Sequence, residues 1–166
     1  MTMAHRAREL SRTGFRTGAI VILALLLSGQ TYSVSDLDTA FGKNVLVISA
    51  SQHACHRFEV WIAATSRQHS RGLMHVRKLP KDAGMLFVYQ DPGRRSMWMK
   101  NTYIPLDMLF IRRDGAVSSV VAHTEPLSLR SVSSIEPVTF VLELNAGTTE
   151  RLHIGDGSHI SWDSEP

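Results

Sequence analysis

Residues 97–110 constrain the fold more than any other stretch of the chain. Pro105 fixes its own φ and pushes Ile104 out of the helical region, so the stretch cannot be one continuous helix. It divides into two strand-like runs, Met97 to Lys100 and Met108 to Ile111, on either side of a short polar corner. The corner gathers Lys100, Asn101 and Asp107 at the edge of an apolar wall. Such a corner suits either a binding site or a turn whose polar groups satisfy one another.

The rest of the chain repeats this scale of strand. Phe58, Val60 and Ile62 alternate with Glu59 and Trp61, the period-two pattern of a strand with one buried face. Thr65 and Gln68 have the spacing of a capping box, which predicts a short helix from Ser66 to about Arg71 with Gly72 at its exit. Met85 to Tyr89 is a continuous apolar run of strand length, expected to be buried on both faces. After the turn Gln90 to Gly93, Arg95 to Lys100 is expected to pair back as a strand. Arg113-Asp114-Gly115-Ala116 separates two apolar runs and predicts a hairpin with a type I′ turn. Residues 124–136 form a long polar segment, which suits a binding loop or lid. Thr139 to Leu144 is a further strand, Asn145 is placed to cap a short helix from Ala146 to about Leu152, and Ser158 to Trp162 is the last strand. No internal repeat and no βαβ rhythm is present. Six or seven short strands with two short helices predict a mainly β, α+β domain: a small antiparallel or mixed β-barrel.

Charge separates the N-terminus from the domain. Arg6, Arg8, Arg12 and Arg16 against Glu9 account for the whole formal charge of +3, so the remainder is balanced. A balanced domain lacks the basic face that nucleic-acid binding requires. The arginines precede nine apolar residues, 19–27, the layout of a secretory signal, and this run is shorter than the ~20 residues of a membrane-spanning helix. Residues 1–30 are therefore read as a signal peptide or N-terminal anchor and residues 31–54 as a linker with one edge strand. Residues 55–163 are read as a single domain. The expected location is periplasmic or secreted, with contact to the inner membrane only through an uncleaved N-terminal segment. Cys55 is the only cysteine and excludes an intrachain disulfide. Beside His53 and His56 it reads as a half-buried bystander at the domain's edge, because a metal site draws on three or four ligands.

Several motifs stand in a fixed order: Arg71-Gly72-Leu73-Met74, Leu79-Pro80, Gly84-Met85-Leu86-Phe87, Trp98-Met99-Lys100-Asn101-Thr102, Ile104 to Phe110, Asp114-Gly115, Leu142 to Gly147, and Gly155-Asp156. In these the chain resembles the uncharacterised DUF192 family, also called UPF0127, over about Phe58 to Ile160. The resemblance implies a small β-rich domain, often behind a signal or anchor, and carries over no catalytic residues. Met97 and the Arg112-Arg113 pair depart from the family's usual residues, beside the motifs rather than within them.

Three functional readings follow. In the first, Arg71, Trp98, Lys100, Asn101, Tyr103 and Asp107 bind a small polar ligand, sugar-like or a peptidoglycan fragment, or an envelope partner, without catalysis and without a cofactor or metal. Within that group Asp107 is expected to face a cation, Arg71 ahead of Lys100. In the second, a hydrolase uses Asp107 and Glu143, or Glu125, with His75 or His123 as proton shuttle. No nucleophile elbow, metal-ligand histidine pair or phosphate loop accompanies them. In the third, Met97 and Met99 point to one side of a strand and bind Cu(I) through their thioethers.

Overall fold

The apolar runs around Met85, Leu109 and Val141 become the middle of one seven-stranded sheet in the computed structural model, which describes residues 33–50 and 54–162. The signal or anchor expected over residues 1–30 lies outside the described residues. In chain order the elements are α1 (Val34–Ala40), β1 (Gly42–Ser49), β2 (Cys55–Ala63), α2 (Ser66–Arg71), β3 (Ala83–Gly93) and β4 (Ser96–Met97). They continue with β5 (Leu106–Ile111), β6 (Val117–Val121), β7 (Val132–Ser133), β8 (Val138–Asn145), α3 (Thr148–Arg151) and β9 (His159–Trp162). The large sheet runs β6-β5-β8-β3-β2-β1-β9, while β4 and β7 pair separately. Only the β2–β3 pair is parallel, and α2 lies on the crossover between those strands. The mainly β, α+β architecture expected from the sequence is present as a curled, mixed half-barrel.

Side-chain parity divides the core into two layers. Leu46, Ile48, Phe58, Val60, Leu86, Leu109 and Leu142 form one cluster on the inside of the curl. Trp61, Met85, Phe87, Met108, Phe110 and Val141 point the other way, where Leu37 and Phe41, Leu73 and Met99 cover them. Strands β3, β5 and β8 are thus sandwiched, which is why their sequences read as unbroken apolar runs. The curl brings β9 back to the β5–β6 turn, where the Ile160 amide donates to the Gly115 carbonyl and the Val117 amide to Ser158. A Cβ at Gly115 would stand 2.3 Å from the Ile160 carbonyl oxygen, so only glycine lets the two segments approach.

Several local expectations are corrected. Within the expected linker of residues 31–54, the described residues 34–49 form a helix and an interior strand rather than a linker with an edge strand. Ser33 begins α1, its amide donating to the Asp36 carboxylate at 2.7 Å, and β1 is an interior strand between β2 and β9. The missed signal was Val34, Leu37 and Phe41, whose spacing lays one apolar stripe on the sheet. That third helix also explains Trp61. Instead of facing solvent, the indole is buried and donates to Asp38 at 2.8 Å. The expected strand Arg95 to Lys100 shrinks to Ser96–Met97, which pairs with Val132–Ser133 inside the long segment rather than with β3. The β5–β6 hairpin has positive φ at Gly115 but not at Asp114, so its turn is not type I′. Cys55 is exposed, opposite Ser49 in the β1–β2 ladder.

Candidate functional site

On the outer face of the sheet, a cavity of about 280 Å³ opens between α2, β3, β8 and the segment around β4. Its polar lining includes His69, Arg71, Tyr89, Lys100 and Glu143, and Trp98 and Met97 are among its apolar residues. Glu143 defines its chemistry. It stands on β8 across from Met85 on one side and Met108 on the other, so its carboxyl projects from a methionine-lined wall. The residue is 4 % exposed, and burial alone pushes its pKa up to about 8, with no hydrogen bond or countercharge lowering it. At neutral pH most of it is therefore the neutral acid, able to donate as well as accept a hydrogen bond. Burial likewise raises the Tyr89 phenol, opposed by Arg95 and reinforced by Glu143. The Arg95 guanidinium lies 4.0 Å from the centre of the Tyr89 ring. His69 is held from behind, its Nε2–H directed at the carbonyls of Ala63 (2.9 Å) and Val88 (3.1 Å), with its ring 4.5 Å from Tyr89.

Of the six residues singled out from the sequence as ligand-binding, Arg71, Trp98 and Lys100 line this cavity. Arg71 leans over the Phe41 ring at 5.3 Å and reaches the Asp36 carbonyl at 3.4 Å, while the Lys100 ammonium stands 5.1 Å from the Trp98 ring. Asn101 and Tyr103 do not line it. The Asn101 carbonyl accepts from the His75 amide, and the Tyr103 hydroxyl lies 3.5 Å from His75 Nδ1 with Arg77 over its ring. These two residues pin the loop after α2 to the Pro105 corner.

Asp107 stands apart from the cavity, and its expected pairing with Arg71 or Lys100 is absent. On β5 it shares the inner face with Leu109 and Ile111, whereas Arg71 and Lys100 lie outside. Its carboxylate accepts instead from the amides of His123 (3.0 Å), Gly147 (3.2 Å) and Thr149 (2.9 Å), and from the Thr149 hydroxyl (2.8 Å). Burial pushes its pKa up, but the Thr149 amide, the His123 amide, the Thr149 hydroxyl and the Gly147 amide together hold it below the ordinary value. Gly147, at φ +80°, is the N-cap of α3, not Asn145. The Asn145 side chain donates to the carbonyls of Leu79 and Pro80. The overlooked signal was Gly147 to Thr149, small residues that leave amides free to turn on one carboxylate.

Parity also separates the carboxylates of the hydrolase reading. Met108 pairs with Glu143 and Asp107 with Leu144, so Asp107 and Glu143 project from opposite faces of the sheet. His123 sits beside the exposed Glu150 at 3.6 Å, and His75 beside Tyr103, and neither lines the cavity. Met97 and Met99 both pack toward the outer cluster, with Trp98 turned to solvent. The Met97 sulfur accepts from the Tyr89 hydroxyl at 3.8 Å, and the Thr124 hydroxyl lies 3.2 Å from that of Met99. Among the described residues no group of three or more His, Cys, Asp or Glu is placed to hold a metal.

A family model, DUF192, described as an uncharacterized ACR, matches residues 47–162. The chain is 38 % identical to a Sinorhizobium meliloti 1021 protein of known structure, provisionally described as a transcription regulator. That match covers 74 % of this chain and 95 % of the other, with a TM-score of 0.72. A protein of unknown function from Novosphingobium aromaticivorans DSM 12444 is 29 % identical over 80 % of this chain and 91 % of its own, again with a TM-score of 0.72. No curated protein matches.

The two buried carboxyls are expected to respond oppositely to pH. Asp107 has a depressed pKa in the folded state, so its contribution is complete above the unfolded value and is lost as pH falls through the folded one. Asp107→Asn should cost about 3 kcal/mol in urea melts at pH 7, shrinking below about pH 4, and Arg71→Met should not rescue it. Recovery in the double mutant would restore the ion pair that the geometry lacks. Glu143 has a raised folded pKa, so folding takes up a proton and wild-type stability falls as pH rises from 4.5 toward 8. Glu143→Gln should therefore gain on wild type across that window, by a few kcal/mol at its alkaline end; parallel pH profiles would mean an ionised, paired Glu143.

Proposed function

The chain belongs to the DUF192 family, and on that premise we propose that it is an exported cell-envelope protein that binds a small polar ligand without catalysing a reaction. The ligand class is sugar-like, such as a peptidoglycan fragment. One observation carries the reading: Glu143 is a buried carboxyl whose pKa no hydrogen bond or countercharge lowers, and it opens into a cavity shared with Arg71, Lys100 and the rings of Phe87, Tyr89 and Trp98. Keeping an unpaired carboxyl in a methionine-lined wall lowers stability, and such residues concentrate at functional sites. The neutral acid suits a ligand hydroxyl or carbonyl. Trp98 offers a face for a sugar ring, and Arg71 and Lys100 suit a carboxylate substituent. At about 280 Å³ the cavity is at the small end of ligand sites, so the bound unit is of monosaccharide size. Opposed placement of Asp107 and Glu143 weighs against the two-carboxylate hydrolase. The regulator description of the Sinorhizobium meliloti protein is not extended to this chain, whose charges beyond residue 30 balance.

Calorimetric titration with N-acetylmuramic acid and muropeptides tests the ligand class. Trp98→Ala and Glu143→Gln should each weaken binding at least about tenfold, the effect of losing one well-placed contact. Absence of binding across the series, or binding unchanged in both variants, would defeat the reading. Export rests on the arginine-rich start and the apolar residues 19–27. A reporter fused after Gln30 should be active on the far side of the inner membrane; activity confined to the cytoplasm would refute export.

A further inference from the structure

All four large apolar side chains that are exposed among the described residues lie in two adjoining segments: Trp98 (49 %) in one, and Leu127 (54 %), Leu129 (69 %) and Ile135 (65 %) in the other. The segments are zipped together. Ser96 pairs with Ser133 and Met97 with Val132, the Met99 amide donates to the Ser128 carbonyl, and the Leu127 amide donates to Thr102. The result is an apolar crest on a two-stranded flap anchored in the core by Met99 and Val132. Leu127 takes φ +62°, a conformation that a leucine seldom adopts, while remaining exposed. A clustered crest of this kind marks an interaction surface rather than incidental exposure.

Two further features identify the partner. The exposed cations Arg94, Lys100 and Arg130 accompany the crest; of the two acids in the same segments, Glu136 is bonded to Arg112 at 3.0 Å, which leaves Glu125. Aromatic and aliphatic tips set among cations are the chemistry of an anionic lipid interface. Moreover, the chain enters the described domain at Ser33, six residues after the apolar run 19–27, and α1 packs on the same outer face of the sheet as the flap. We propose that this crest inserts into the interface of an anionic lipid bilayer and holds the mouth of the Glu143 cavity at the membrane surface. This contact is separate from the N-terminal segment; it shares Trp98 and Lys100 with the ligand site proposed above, so its test also substitutes Leu129 and Ile135, which lie outside that site.

Trp98 is the exposed reporter: Trp61 is buried, Trp162 is half-buried against the Phe140 ring, and Trp98→Phe supplies the subtraction for both. The full chain is reconstituted into phosphatidylcholine vesicles with or without phosphatidylglycerol, each containing brominated lipid as a short-range quencher. Trp98 emission should shift to the blue and be quenched in the anionic vesicles, and the inserted fraction should fall when salt is raised. A Leu129→Ser, Ile135→Ser variant should reduce the insertion equilibrium at least about tenfold, because one leucine transferred from water contributes that much. Both side chains are exposed, so unchanged circular dichroism and melting are expected of that variant. Unquenched Trp98 in anionic vesicles, or equal quenching in the serine variant, would overturn the proposal. So would a lipid-independent, concentration-dependent blue shift abolished in that variant, which would assign the crest to a second copy of the chain.

Discussion

Residues 83–87 of β3, together with β5 and β8, are covered on both faces, and this double burial governs everything else in the molecule. A side chain on them has no solvent to turn to, so a charged residue must be satisfied by the protein or held neutral. The two buried carboxyls in these strands, Asp107 and Glu143, meet the constraint in opposite ways. Asp107 keeps its charge because three amides and a hydroxyl converge on it. Glu143 has no such donors and keeps its proton instead. One residue fastens β5 to α3 and to the turn at His123; the other is unfinished chemistry, facing a cavity.

Much of this was legible in the sequence wherever a local rule acts. The Thr65 and Gln68 capping box placed α2, with the Gln68 amide donating back to Thr65 at 3.3 Å. The unbroken apolar run at Met85 correctly implied a strand buried on both faces. What escaped was decided by distant partners. The stripe of α1 becomes apparent only against the surface it covers, and without it Trp61 reads as an outward residue. A lone carboxylate in an apolar run invites a cation as partner, whereas Asp107 found backbone amides from a segment some forty residues later. No spacing rule encodes that. Arg71, Trp98 and Lys100 came together across separate elements; Glu143, noted only as half of a hydrolytic pair, could have been singled out as the one charged residue inside Thr139 to Leu144.

The two bacterial structures that share this fold are matched over nine-tenths or more of their own lengths, so the half-barrel makes up nearly all of each of them. Within it the polar equipment is divided by the sheet. Inside the curl, polar groups serve closure and capping. Outside it, α2, the Pro105 corner and the flap surround the cavity, so change on that side can proceed without disturbing the inner core.

The meeting of β9 with Gly115 has a consequence for the order in which the molecule is made. β1 is formed among the first residues of the domain, yet one of its edges pairs only with the last strand, Leu46 opposite Trp162. During synthesis that edge stays open until the C-terminal residues emerge, and closure joins segments far apart in the chain, the slow kind of folding step. The nascent chain therefore has no finished barrel to form early. Under the export proposed above, in which the chain would cross a membrane before folding, late closure would be an advantage built into strand order.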